Sequence, residues 1–101
     1  ESARDYQFTR ASQDEFAIAS LSRAQAAIAN GAFAAEIVPV TISGRGGDVV
    51  IDTDEQPGKA RPDKIPTLKP AFAKVGTITA ANASSISDGA AALVLTRASV
   101  A

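Results

Sequence analysis

The chain has 101 residues and a formal net charge of −1, with ten basic and eleven acidic side chains. This balance argues against a nucleic-acid or anionic-membrane partner held by bulk electrostatics. Cysteine, histidine and methionine are all absent. That removes disulfides, thiol nucleophiles, the usual zinc sites and the commonest general base, so neither a metal site nor a catalytic residue is assigned. Apolar residues make up 46% of the chain, but alanine dominates them and there are only four Phe, one Tyr and no Trp. Core-filling volume is therefore scarce for a domain of this size, which already buries only roughly 65% of its unfolded surface. The start, "ESARDYQFTR", lacks the apolar core of a signal peptide, and residue 1 is Glu, so the sequence reads as a processed or internal piece of a protein placed in the cytoplasm by default.

Residues 9–29, "TRASQDEFAIASLSRAQAAIA", predict a long helix. Thr9 or Ser12 offers an N-cap, Ser12 and Glu15 fit a capping box, and Asn30-Gly31 supplies a left-handed stop. Ala17, Leu21, Ala24 and Ile28, with Phe16 beside them, recur at helical spacing and predict the packed face, opposite the polar Gln13, Ser20, Arg23 and Gln25. Two β-rich runs follow, 36–43 ("EIVPVTIS") and 48–55 ("DVVIDTDE"), separated by a glycine cluster, "GRGG". They predict an antiparallel hairpin, with Pro39 confining its strand to an edge.

Residues 56–74 contain four of the five prolines and five of the ten basic residues, Lys59, Arg61, Lys64, Lys69 and Lys74. Proline at this density predicts no long regular element, with a short turn near Pro66–Leu68 and with Ile65, Leu68 and Phe72 seeking burial. After it, "TITAANASSISDGAAALVLT" (77–96) passes from β-branched residues to small polar ones, then through Asp88-Gly89 to an apolar run. The run "AAALVLTR" predicts a buried strand, with a helical turn in "SSISD" before it.

Three groups invite a chemical reading. The small residues from Ala81 to Asp88 either satisfy their own backbone, through Asn82, Ser84, Ser85 and Asp88, or let the backbone approach an extended polar ligand. Asp52, Asp54 and Glu55 read as charges at the solvated end of a strand, since no further metal-type ligands cluster with them. The five cations of the proline-rich segment are either a solvated loop or a contact for a phosphate-bearing ligand. Asn82-Ala83-Ser84 also matches a glycosylation sequon, which the lack of secretory features sets aside.

Taken in order, "SQDEFAIAS", "EIVPV", "TDEQP" and "LKPAFAKVGTITAANASSISDGAAALVL" resemble successive blocks of the thiolases, acyl-CoA acetyltransferases that form or cleave 3-oxoacyl-CoA. The resemblance implies a partial thiolase-like α/β fold: a long N-terminal helix, a β-hairpin, a proline-rich loop and a buried C-terminal strand. It implies that residues 1–75 are the late part of the family's loop domain and residues 76–101 the closing segment of its N-terminal domain, within an incomplete subunit. The partners implied are the remainder of that subunit, acyl-CoA as substrate, and further copies in a homodimer or homotetramer, with no permanently bound cofactor.

In the family a nucleophilic cysteine lies upstream of this region, and a histidine and a second cysteine lie downstream; none falls within this sequence. What the resemblance carries over is coenzyme A binding. Ser84 matches the serine that hydrogen-bonds the pantetheine arm, Ala80 a small residue lining that arm, and Phe72 an aromatic flanking the coenzyme. Ala81 and Ser85 stand where many members have glycine. The family's arginine near the CoA nucleotide falls in the altered "QPGKARPDK", where Lys59 and Arg61 are the two candidates to replace it. The expected function is therefore a CoA-binding segment of a thiolase that is inactive alone. The alternatives are a free-standing noncatalytic CoA-binding or structural module, and a thiolase-like condensing enzyme acting on carrier-protein thioesters.

Overall fold

The computed structural model describes residues 1–101. A short helix α1 (Ser2–Asp5) leads into the long helix α2 (Arg10–Ala29). The antiparallel strands β1 (Val40–Gly44) and β2 (Gly47–Ile51) follow, then a short helix α3 (Glu55–Lys59) and a 3₁₀ helix (Pro62–Thr67). From Leu68 to the C-terminus the chain forms turns and extended segments only.

Local chemistry sets the ends of α2. Thr9 is the N-cap, its hydroxyl oxygen accepting from the Ser12 amide at 3.1 Å, while the Ser12 hydroxyl donates to the Thr9 carbonyl at 2.9 Å. The expected Ser12–Glu15 box is thus replaced by a Thr9–Ser12 pair, which satisfies one of the first turn's donors from three residues earlier. At the other end Gly31 adopts φ +70°. The Ala32 amide donates to the Ala27 carbonyl at 2.9 Å and the Gly31 amide to the Ile28 carbonyl at 3.1 Å, a Schellman closure in which a residue without Cβ takes the left-handed position.

The hairpin forms as the glycine cluster predicts, with Val40 opposite Ile51 and Gly44 opposite Gly47 across the Arg45-Gly46 loop; Gly47 takes φ +108°. Pro39 immediately precedes β1, where its missing donor disturbs no ladder bond. Both faces of the two strands are exposed.

The proline-rich segment contains no long element. Asp54 caps α3 by accepting from the Gln56 amide at 2.9 Å, and proline opens the 3₁₀ helix. The segment runs antiparallel to α2 and is tied to it at two places: the Gln25 side-chain amide donates to the Pro57 carbonyl at 2.8 Å, and the Arg10 guanidinium donates to the Leu68 carbonyl at 2.9 Å. The packed stripe of α2 centres on Asp14 and Ala17, and Ile65 buries beneath it.

Three expectations are corrected. Phe16, Ile28 and Phe72 are exposed rather than packed. The turn expected in "SSISD" lies earlier, at Ala80–Asn82, where Asn82 provides the closing hydrogen bonds. The expected buried C-terminal strand is unpaired, with Leu93, Val94 and Leu95 each at least 87% exposed. A strand needs a neighbouring ladder, and no other part of this chain lies alongside it.

These exposures add up. The accessible surface is 9068 Å², against roughly 5,400 Å² for a closed monomer of 10.3 kDa. The radius of gyration is 18.5 Å, against about 13 Å for a compact domain of this length. The chain has well-formed secondary structure arranged around a core of only four buried residues, Asp14, Ala17, Ile65 and Thr79.

Candidate functional site

The segment from Lys69 to Ser84 is organised around Thr79, which is fully buried. The Thr79 amide donates to the Asn82 side-chain oxygen at 2.8 Å, and the Asn82 side-chain amide donates to the Thr77 carbonyl at 2.9 Å. The Asn82 and Ala83 amides return to the Thr79 carbonyl at 3.2 and 3.0 Å, and the Ala81 amide reaches the Thr79 hydroxyl at 3.3 Å. One asparagine therefore closes the turn with both ends of its side chain. The same two bonds occupy the group that a glycosylation acceptor would need free.

This turn is stitched to the preceding segment. The Ala71 amide donates to the Ile78 carbonyl at 2.8 Å, so residues 71–78 form a closed loop with Phe72 at one foot and Thr79 just beyond the other. Gly76 makes the loop tight: a Cβ there would stand 3.1 Å from the Ala73 carbonyl oxygen and 3.3 Å from the Pro70 Cβ.

Of the five residues singled out from the sequence, this arrangement links three by chain and hydrogen bond. Ala80 is exposed on the Asn82-closed turn, Ser84 is exposed just after it, and Phe72, 81% exposed, stands at the foot of the stitched loop. The side chains of Ala80, Ala81 and Ala83 are small, and the amides of Ala81, Asn82 and Ala83 are used within the turn while the carbonyls of residues 80–82 accept no backbone hydrogen bond. Ser84 does not take part in closing the turn; beyond it, the Ser85 and Ser87 hydroxyls lie 2.9 Å apart.

Lys59 and Arg61 lie elsewhere, Lys59 as the last residue of α3 and Arg61 just before the 3₁₀ helix. Lys59 pairs with Glu55 and Arg61 with Asp63 at 3.6 Å, both on the surface. Pairs this exposed constrain their side chains weakly, so both cations are free to swing. The carboxylates Asp52 and Asp54 are engaged locally, by the Thr53 hydroxyl and the Gln56 amide. No group of three or more acidic residues is arranged to hold a metal ion.

A concavity of about 630 Å³ is an open groove between the C-terminal end of α2 and the open end of the hairpin, bordered by Ala27, Ile28, Phe33, Ile37, Asp52 and Pro57. None of the five sequence-derived residues lines it. Sequence reasoning also missed Arg10, whose only visible signal was an acidic partner four residues on, and the buried Thr79, whose amide Asn82 accepts.

The chain belongs to the thiolase family: the family model described as "Thiolase, N-terminal domain" matches residues 1–99. It is similar to acetyl-CoA acetyltransferases, with 53% identity over 94 residues to a mitochondrial one from Gibberella zeae, covering 91% of this chain, and 50% over 90 residues to one from Syntrophomonas wolfei, covering 89%. The chain spans 22% and 23% of the length of these two relatives. Among solved structures, the acetyl-CoA acetyltransferases of Syntrophomonas wolfei and Bacillus anthracis each align with a TM-score of 0.75, at 45% and 44% identity, covering 83% and 81% of this chain and 21% of theirs. The α/β arrangement of helix and hairpin is thus part of a thiolase fold. No helix is long and apolar enough to cross a membrane.

Proposed function

We propose that this chain is the coenzyme A wall of a thiolase subunit, a segment that holds the pantetheine arm of an acyl-CoA while residues elsewhere in the subunit perform reversible acyl transfer to acetyl-CoA. The observation that carries this reading is the Asn82-closed turn: the side chains of Ala80, Ala81 and Ala83 are small, the carbonyls of residues 80–82 accept no backbone bond, and the exposed Ser84 follows it. A pantetheine arm is narrow and carries two amides, so a turn of small residues with unbonded carbonyls and one hydroxyl suits it. Phe72 supplies an apolar face beside the same loop, and Lys59 and Arg61 provide mobile cations for the coenzyme's phosphates. Coenzyme A enters as substrate, not as a resident cofactor.

The remainder of the subunit is the partner this reading requires. The excess of roughly 3,700 Å² of accessible surface over a closed monomer is comparable to an obligate interface. The exposed hairpin faces and the unpaired Leu93–Leu95 run are where neighbouring elements would pack. Residues 1–75 belong on this account to the loop domain and residues 76–101 to the closing strand of the first α/β half, in a homodimer or homotetramer. The cytoplasm is the proposed location, with mitochondria the competing one because a similar fungal enzyme is named mitochondrial.

The test is thiolysis of acetoacetyl-CoA by the full-length subunit carrying Ser84→Ala. Loss of one hydrogen bond of about 1–1.5 kcal/mol predicts a KM for CoA raised about five- to tenfold with kcat little changed. An unchanged KM removes Ser84 from the binding wall.

A further inference from the structure

Arg10 occupies the first position of α2, where a cation faces the positive end of the helix dipole and is disfavoured unless something compensates it. The compensation is specific. Its Nε lies 2.8 Å from each Asp14 carboxylate oxygen, and one terminal nitrogen donates to the Ile65 carbonyl at 3.2 Å and the Leu68 carbonyl at 2.9 Å. Asp14 is 5% exposed, making it the one buried carboxylate of the chain. Apart from Gln25, Arg10 is the only residue whose side chain makes hydrogen bonds spanning more than five residues.

The two carbonyls that Arg10 holds lie at the entry to the proposed coenzyme wall. Leu68 is four residues before Phe72, Ala71 is bonded to Ile78, and Thr79 next to it anchors the turn that carries Ala80 and leads to Ser84. We propose that Arg10, clamped by Asp14, is a positioning residue for coenzyme A binding that fixes the loop from Leu68 onward against α2 and thereby sets the place of Phe72 and Ser84; this inference rests on the proposed function above. A lysine does not replace it, because one ammonium cannot stand both at the Nε position beside the Asp14 carboxylate and at the separate terminal-nitrogen position beside the two carbonyls.

The experiment uses the full-length subunit with Arg10→Lys, Asp14→Asn, Ser84→Ala and the Arg10→Lys/Ser84→Ala double variant, measuring thiolysis against CoA concentration. Arg10→Lys is expected to raise KM for CoA about fivefold with kcat within about twofold, the size of a coupling carried through a packed network. Asp14→Asn, which leaves the carbonyl contacts but slackens the clamp, moves KM the same way by less. The double variant is less than multiplicative, because both changes act on one contact. A folded Arg10→Lys enzyme with unchanged KM and only a lower Tm overturns the proposal and leaves an ordinary tertiary latch. If Arg10→Lys does not fold, Asp14→Asn decides, and failure of both to fold also assigns the pair a purely structural role. If Ser84→Ala leaves KM unchanged, the wall reading fails and this inference falls with it; if Ser84→Ala raises KM but Arg10→Lys does not, only the positioning role is lost.

Discussion

Replacing Asn82 tests the turn that organises the candidate site. Asn82→Ala removes the acceptor of the Thr79 amide and the donor to the Thr77 carbonyl, at 2.8 and 2.9 Å. Each bond is worth about 1 kcal/mol net, and the Thr79 amide belongs to a fully buried residue, so its desolvation goes uncompensated at about 1–3 kcal/mol. The local cost is therefore about 2–4 kcal/mol, enough to open the turn without unfolding a subunit several times larger. Asn82→Asp keeps the acceptor and loses only the donor, so about 1 kcal/mol is expected. The assay is amide hydrogen exchange of Thr79, Asn82 and Ala83 in the full-length subunit, with KM for CoA measured in parallel. Protection should fall steeply in Asn82→Ala and slightly in Asn82→Asp, with KM following the same order. Equal protection in both variants and in the unaltered protein would refute the view that this side chain closes the turn.

Other perturbations have defined outcomes. Gly31→Ala places a Cβ at φ +70° and should cost about 1 kcal/mol, read as a fall in Tm of the full-length subunit. Gly76→Ala brings a Cβ to 3.1 Å from the Ala73 carbonyl oxygen, so the 71–78 loop must shift by a few tenths of an ångström; KM for CoA should rise while Tm of the full-length subunit changes little. Lys59→Ala and Arg61→Ala break only exposed ion pairs and should leave Tm unchanged, with any effect confined to CoA affinity and its salt dependence. The isolated 101-residue chain should lack thiolysis activity and a sharp thermal transition, and should bind a hydrophobic dye through surfaces such as Leu93–Leu95; a cooperative unfolding transition favours the free-standing module instead.

What could be read from the sequence was the chemistry of near neighbours. The Asn30-Gly31 stop, the hairpin around the glycine cluster and the absence of long elements among the prolines all depend on contacts within a few residues, and all three are present. The N-terminus of α2 was legible only to within one turn, because Thr9 and Ser12 are both competent caps and the choice depends on which hydroxyl reaches a free amide. The apolar run at Leu93–Leu95 has the composition of a buried strand, but burial needs a partner ladder, which no pattern within the run supplies. Arg10 and Asp14 stand four residues apart, a spacing that marks a pair on a helix but not its burial. Their link to Ile65 and Leu68, more than fifty residues away, depends on how the proline-rich segment folds back along α2. At the candidate site, the small residues from Ala81 to Asp88 left two readings open; the bonds of Asn82 to local backbone meet the first, whereas the burial of Thr79 became visible only in three dimensions.

The central claim is that the turn around Asn82 and the loop beneath it face the coenzyme. A crystal structure of the full-length subunit soaked with coenzyme A tests it most directly. The account predicts the pantetheine arm running past Ala80, with the Ser84 hydroxyl about 3 Å from one of its polar atoms and Phe72 in van der Waals contact with the coenzyme. Density for the coenzyme that touches none of these three residues would contradict it.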